Sequence, residues 1–143
     1  MMIIVERATE DDYTDIIDID IAFLGDDRRR AYLTRAIMNR EMVVARLAAQ
    51  RVGFAIANRT FFERYFVAAL VVHPDYRRQG IARALMRYVE KTCPDRRIFA
   101  SASDSNMVGR RMLAKLGYTE AGHLDYINDN ERELIYVKFL NLK

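Results

Sequence analysis

Chemistry is suggested first by Arg77, Arg78, Gln79 and Gly80, which stand where an apolar run hands over to a helical pattern in "ALVVHPDYRRQGIARALMRYVEK", Ala69 to Lys91. Phe66 to Val72 reads as a strand buried on both faces. Pro74 can donate no ladder hydrogen bond, so the strand should stop before it. Beyond Gly80, the residues Ile81, Leu85, Tyr88 and Val89 fall at helix spacing, with Arg83, Arg87, Glu90 and Lys91 turned the other way. The first N–H groups of such a helix have no partner within it, and with the helix dipole they attract an anion. Gly80 lacks a Cβ, so a ligand can approach the backbone closely, and guanidinium groups nearby suit a phosphate. The chemistry indicated is a seat for a phosphate or pyrophosphate; the plain alternative is an exposed, solubilising turn.

Two common phosphate loops do not fit. A Walker A loop needs Gly-Lys-Ser/Thr, whereas Gly80 is followed by Ile81. The dinucleotide fingerprint needs three glycines, and here there is one. The spacing Arg77-x-x-Gly80-x-Ala82 instead resembles the coenzyme A loop of the GNAT N-acetyltransferases, R/Q-x-x-G-x-G/A. Val72-His73-Pro74-Asp75-Tyr76 is similar to the V-x-P-x-Y/F that leads into that loop. A second stretch, "SNMVGRRMLAKLGYTEAG" from Ser105 to Gly122, resembles that family's N-x-x-A-x-x-L/F-Y-x-K-x-G-F/Y. Asn106, Lys115, Gly117 and Tyr118 match, while Gly109 stands for the usual Ala and Met112 for Leu or Phe.

The elements that must position these residues can be read along the chain. Met2 to Arg7 reads as a strand. Thr9 and the acidic run after it look like a cap and first turn, and Tyr13, Ile16, Ile17, Ile21 and Leu24 give helix spacing up to Gly25. Asp26 or Asp27 is expected to cap a second helix through Asn39. Met42 to Ala48 and Val52 to Asn58 read as strands about a turn near Gln50-Arg51. Tyr65 to Val72 is the next strand, followed by the helix after Gly80. Ile98 to Ser101 is a strand, and Ser105 to Leu116 a helix closed by Gly117. Tyr118 to Tyr126 and Glu133 to Phe139 are strands around Asn128-Asp129-Asn130. The order β-α-α-β-β-β-α-β-α-β-β predicts an α/β (α+β) fold, with a central mixed twisted sheet of about seven strands flanked by about four helices. It is also the GNAT order, so the resemblance spans the chain and implies one GNAT-type domain over 1–143.

Composition narrows the partners. The 143 residues are 51% hydrophobic, enough for one core, and the net charge of +3 is too mild for a dedicated nucleic-acid face. Arg28-Arg29-Arg30 follows Asp26-Asp27 and reads as a solvated helix start. Cys93 is the only cysteine, so no disulfide forms within the chain, and with two histidines no zinc cluster is expected. No apolar run approaches the ~20 residues of a membrane span, and the N-terminus does not read as a signal peptide. A cytoplasmic protein without metal, membrane or nucleic-acid partner is expected. The last strand, "ELIYVKFL", either meets a second copy across an edge, giving a homodimer, or packs within one chain.

The resemblance implies acetyl-CoA as cosubstrate and direct transfer of the acetyl group to an amine. It assigns the pyrophosphate to the N–H groups from Arg78 to Ala82, through Gln79, Gly80 and Ile81, with charge added by Arg77, Arg78 or Arg83. It assigns the pantetheine arm to the backbone of Leu70, Val71 and Val72 and to Asn106, whose other reading is a helix cap. Transfer needs a neutral amine, an oxyanion donor and an outlet for the leaving thiolate. The N–H of Val72 is the expected oxyanion donor. The family's acid is a Tyr, but Leu113 holds that position, and Tyr118 matches a core aromatic. No carboxylate lies from Tyr65 to Val72. The base therefore stays open, with Glu63, His73 and Tyr126, beside Asp125, as candidates. Asp18, Asp20, Asp26 and Asp27 fall where the family contacts its acceptor. Two functions follow, an active N-acetyltransferase on a small molecule or protein amine and a catalytically degenerate acyl-CoA-binding protein. A binding module with only a look-alike loop is a third.

Overall fold

The computed structural model describes residues 2–141, so the ends of the expected domain, residues 1, 142 and 143, lie outside the described residues. The strands are β1 (Ile3–Arg7), β2 (Met42–Leu47), β3 (Gln50–Phe61), β4 (Arg64–Val72), β5 (Arg97–Ser103), β6 (Thr119–Leu124) and β7 (Glu133–Phe139). The helices are α1 (Tyr13–Leu24), α2 (Arg30–Met38), α3 (Ile81–Thr92) and α4 (Met107–Lys115). The strands form a seven-stranded sheet in the order β1-β2-β3-β4-β5-β7-β6. It is mixed, because β4 and β5 pair in parallel at Phe66 and Phe99 while the other recorded ladders are antiparallel. The expected fold class is what is found.

Two compact units divide the chain, and β3 and β4 run through both. One extends to Ala57 and again over Ala68–Thr92. Its core joins Ile16, Ile17 and Ile19 of α1 and Leu33, Ala36 and Ile37 of α2 to Met42, Val44, Phe54, Ile56, Ala69 and Val71 of the sheet. Alternate strand residues supply that face, as the two-residue period requires. The other unit holds Asn58–Val67 and the chain from Cys93 on. There α4 packs on the face of Ile98, Ala100, Ala102 and Tyr136, each 5% exposed or less, and the Tyr136 hydroxyl accepts from Arg110 Nε at 3.4 Å.

Several local expectations are corrected. The β4 strand is not buried on both faces: Val67, Ala69 and Val71 are buried, while Phe66, Ala68, Leu70 and Val72 are half-buried. The turn after β2 comes at Ala48-Ala49, with Ala48 left-handed at φ 52°, so β3 starts earlier and runs to Phe61. Neither Asp26 nor Asp27 is the cap of α2. Arg29 occupies that position without a side-chain cap; Asp26 Oδ1 accepts from Arg28 N–H, and the Asp27 carbonyl accepts from Arg30 N–H. Gly25 does end α1, at φ 95°. The β7 strand lies between β5 and β6, so no second copy can pair along its edge. Its ladder packs within the chain.

Candidate functional site

The loop after β4 is built in three short steps. His73 N–H donates to the Val52 carbonyl of β3 at 2.8 Å. Pro74–Tyr76 then forms a 3-10 turn, which starts at Pro because its missing N–H would be an orphan there. His73 Nδ1 closes the turn by accepting from Asp75 N–H at 3.1 Å. Arg77 is extended (φ −70°, ψ 159°), and the chain changes hand at Arg78 (φ 65°) and at Gly80 (φ 81°). Such reversals turn successive N–H groups toward one side and make an anion-binding concavity. The Gly80 carbonyl accepts the first helical bond, from Ala84 N–H at 3.0 Å. The N–H groups of Gly80 to Arg83 therefore precede the α3 ladder.

Space and charge agree at this loop. A Cβ added to Gly80 would meet nothing within 4 Å, so the approach to the backbone is open. Arg77, Arg78, Gln79 and Arg83 are exposed. Among the described residues, Arg77, Arg78 and Arg83 form no ion pair, so their charge is uncommitted. Leu70 to Ala82 thus lies together in one unit as strand, loop and helix start.

Sequence reasoning missed Gly53, which sets the height of α3. A Cβ there would lie 2.8 Å from the Val71 carbonyl oxygen, 3.2 Å from Ile81 Cγ2 and 3.4 Å from Leu85 Cδ1. The first turn of α3 rests where a side chain would otherwise stand. The signal was available as an isolated glycine inside the apolar strand "VGFAIA".

The remaining candidates fall on different elements of the chain. Successive N–H groups of a strand alternate between its edges. With His73 N–H on the Val52 carbonyl, that of Val72 faces away from β3. The neutral imidazole of His73 has one lone pair, on the nitrogen that accepts from Asp75 N–H, so it is engaged in the turn. Glu63 follows Phe62 in the hairpin turn between β3 and β4 (φ 63° and 51°), and the whole of β4 separates it from the loop in the chain. Tyr126 is 98% exposed with φ 70°. Asp125 pairs with Arg132 at 3.2 Å. Asn106, in the other unit, caps α4: its Oδ1 accepts from Gly109 N–H at 3.0 Å. Gly109 suits this cap, because a Cβ there would lie 2.7 Å from Asn106 Nδ2. Leu113 is buried, at 3% exposure.

Of Asp18 and Asp20 on α1 and Asp26 and Asp27 in the turn after it, three pair with the arginine run that follows. Arg29 binds Asp20 through two contacts, of 2.5 and 3.2 Å, Arg28 pairs with Asp26 at 3.5 Å, and Arg30 pairs with Asp27 at 3.1 Å. Only Asp18 of the four expected carboxylates has no such pair among the described residues. Elsewhere the hydroxyl of Tyr13 is held below the ordinary tyrosine range, first by its hydrogen bond with Thr34 and then by Arg30. Among the described residues, no three His, Cys, Asp or Glu side chains converge as a metal site would require.

Comparison with known proteins places this geometry. The model of the acetyltransferase (GNAT) family matches residues 7–118, from the end of β1 to just past α4. No curated protein sequence matches the chain. Among solved structures, a GNAT-family acetyltransferase from Bacillus cereus ATCC 10987 is similar at 27% identity and TM-score 0.95, covering 99% of this chain and 100% of that one. The Salmonella typhimurium protein yncA, solved with its cofactor acetyl-CoA, has a TM-score of 0.78 at 16% identity, covering 97% and 94%. The ribosomal-protein-S18-alanine N-acetyltransferase of Escherichia coli has a TM-score of 0.79 at 18% identity, covering 99% and 96%. At those two identities the likeness is one of fold.

Proposed function

The chain belongs to the acetyltransferase (GNAT) family, and from that premise we propose that it transfers the acetyl group of acetyl-CoA to a primary amine of a small molecule or a protein. The observation that carries this reading is the loop from Arg77 to Ala82, with its reversals at Arg78 and Gly80, its open approach and its uncommitted arginines. In this reading the N–H groups from Arg78 to Ala82 bind the pyrophosphate, each charge-assisted contact contributing about 1.5–3 kcal/mol. Such donors are fixed before the ligand arrives, so little ordering is lost on binding. The backbone of Leu70, Val71 and Val72 aligns the pantetheine arm.

The amine nitrogen attacks the thioester carbonyl carbon, the C–S bond breaks, and the nitrogen's extra proton leaves to water or to the thiolate. The Val72 N–H supports the oxyanion. No side chain is assigned as base or acid. Leu113 supports a transfer without a dedicated acid, since it is packed in the core and carries no proton to give. A thiolate whose thiol pKa is roughly 8–9 leaves without one at modest cost. In this reading the chain is one GNAT-type domain that acts in the cytoplasm.

The test is release of free thiol from acetyl-CoA across a panel of small amines and peptide N-termini, beside a direct acetyl-CoA titration. Turnover with at least one amine is expected. Tight binding without turnover on any acceptor would favour the degenerate acyl-CoA binder. No binding would remove both readings.

A further inference from the structure

The face of the β4-β5-β7 ladder opposite α4 is apolar and incompletely covered. Phe61 stacks on Phe66 at 5.1 Å and touches Phe99 at 5.3 Å, with Phe62 edge-on at 5.0 Å. Phe99 pairs with Val137, and Arg97 pairs with Phe139, so these side chains continue the same face. Phe61, Phe66, Phe99 and Val137 are only half-buried, while Phe62 and Phe139 are 79% and 67% exposed. A phenylalanine presents about 200 Å², so the last two alone leave about 300 Å² in water. That already reaches the size of patch that is often functional on a monomer. A standard interface buries ~800 Å² per partner, so the half-buried residues and a polar rim would have to supply the rest.

The charges identify the occupant. Arg97 lies over the Phe139 ring at 5.0 Å and, among the described residues, has no acidic partner. At the other end of the same face, Glu133 accepts from Ser101 Oγ at 2.8 Å and from Asn128 Nδ2 at 3.0 Å, with no cation beside it among the described residues. The ladder runs from the Arg97–Phe139 pair to the Ser103–Glu133 pair, a span of about 20 Å at ~3.3 Å per residue. One uncommitted cation and one uncommitted anion at opposite ends of an apolar strip form a self-complementary pattern. A two-fold axis lying in the interface plane, perpendicular to the strands, lays each Arg97 over the Glu133 of a second copy. We infer that this face is the interface of a homodimer, with the aromatic strip at its centre and two Arg97–Glu133 pairs at its ends. The inference does not rest on the acetyltransferase reading.

The experiment is sedimentation equilibrium of the full chain over a concentration series. The wild type is expected to be a reversible dimer. Phe139→Asp alters an exposed position and should leave a folded monomer by thermal melt. Arg97→Glu and Glu133→Arg should each weaken the dimer by about ten-fold or more, and the double variant should recover much of that loss. A wild type that stays monomeric throughout overturns the proposal. So does a dimer that folded Phe139→Asp leaves as tight as before, or one whose single-charge losses the double variant fails to restore.

Discussion

Gly53 and Ile81 contend for one space. The absent side chain of Gly53 leaves the room that Ile81 Cγ2 fills, 3.2 Å from where a Cβ would stand, and the Val71 carbonyl oxygen is closer still at 2.8 Å. The strand that ends at the loop and the helix that begins after it are therefore both in contact with this one position.

Gly53→Ala follows directly. The added methyl meets backbone on one side, which cannot swing aside as a side-chain tip does. The overpacking cost should be about 1–3 kcal/mol, and the first turn of α3, with the proposed pyrophosphate donors, should lift. We expect a lower melting temperature and an acetyl-CoA affinity reduced beyond what the loss of folded fraction explains. An alanine variant that melts and binds like the wild type would remove Gly53 from the site.

At Gly80 the two effects separate. Gly80→Ala meets no protein atom, but a φ of 81° strains any L-residue, by about 1–2 kcal/mol. Gly80→Glu adds a negative charge at the proposed pyrophosphate seat. The alanine variant should lose stability and bind weakly, whereas the glutamate variant should lose about ten- to a hundred-fold more affinity, equivalent to about 1–3 kcal/mol. Calorimetric titration with acetyl-CoA distinguishes them, and equal affinities would place the phosphate elsewhere.

Asn106→Ala removes the acceptor for Gly109 N–H and should cost about 1 kcal/mol of stability. If Asn106 also contacts the pantetheine arm, the KM for acetyl-CoA should rise by more than that loss predicts. Unchanged kinetics with lowered stability would leave it the cap alone.

The Asp20–Arg29 pair should respond unequally to its two truncations. Asp20 is 2% exposed at its side chain and Arg29 is 28% exposed. Arg29→Ala strands a buried carboxylate, and about 3–5 kcal/mol is expected. Asp20→Asn leaves a guanidinium that can reach water, so its cost should be smaller. Urea unfolding of both variants and of the double variant measures the difference, and equal costs would contradict it.

Two tyrosines give opposite alkaline behaviour. Tyr13 is held below the ordinary tyrosine pKa by Thr34 and then Arg30. As pH approaches that ordinary value, the unfolded chain keeps a proton that the folded chain has lost, so this contribution to stability rises with pH. Burial first raises Tyr32. Above the ordinary value the folded chain keeps its proton while the unfolded chain loses it, so this contribution falls as pH rises. Chemical unfolding along an alkaline series should show Tyr13→Phe losing the gain and Tyr32→Phe losing the fall. Identical pH slopes in both variants would reject the assignment.

Much was decided by sequence because it depends on neighbours along the chain. The strand, turn and helix from Tyr65 onward follow from β-branched residues, Pro74, Gly80 and a helical period. Gly25 marked the end of α1 because it alone relaxes into the left-handed cap without cost. The loop spacing of Arg77, Gly80 and Ala82, with the second motif from Asn106 to Tyr118, indicated the acetyltransferase family that residues 7–118 match. Other features depend on what lies opposite in space, which periodicity does not encode. Only the tertiary structure showed that β7 is flanked on both sides, that Arg28, Arg29 and Arg30 pair with Asp26, Asp20 and Asp27, and that Gly53 is the seat of Ile81. It likewise showed that His73 spends its lone pair on the turn and that one face of β4 is only half-buried. Each is a contact between residues distant in the chain or a choice among local hydrogen bonds. A one-dimensional pattern names the partners available, and packing selects among them.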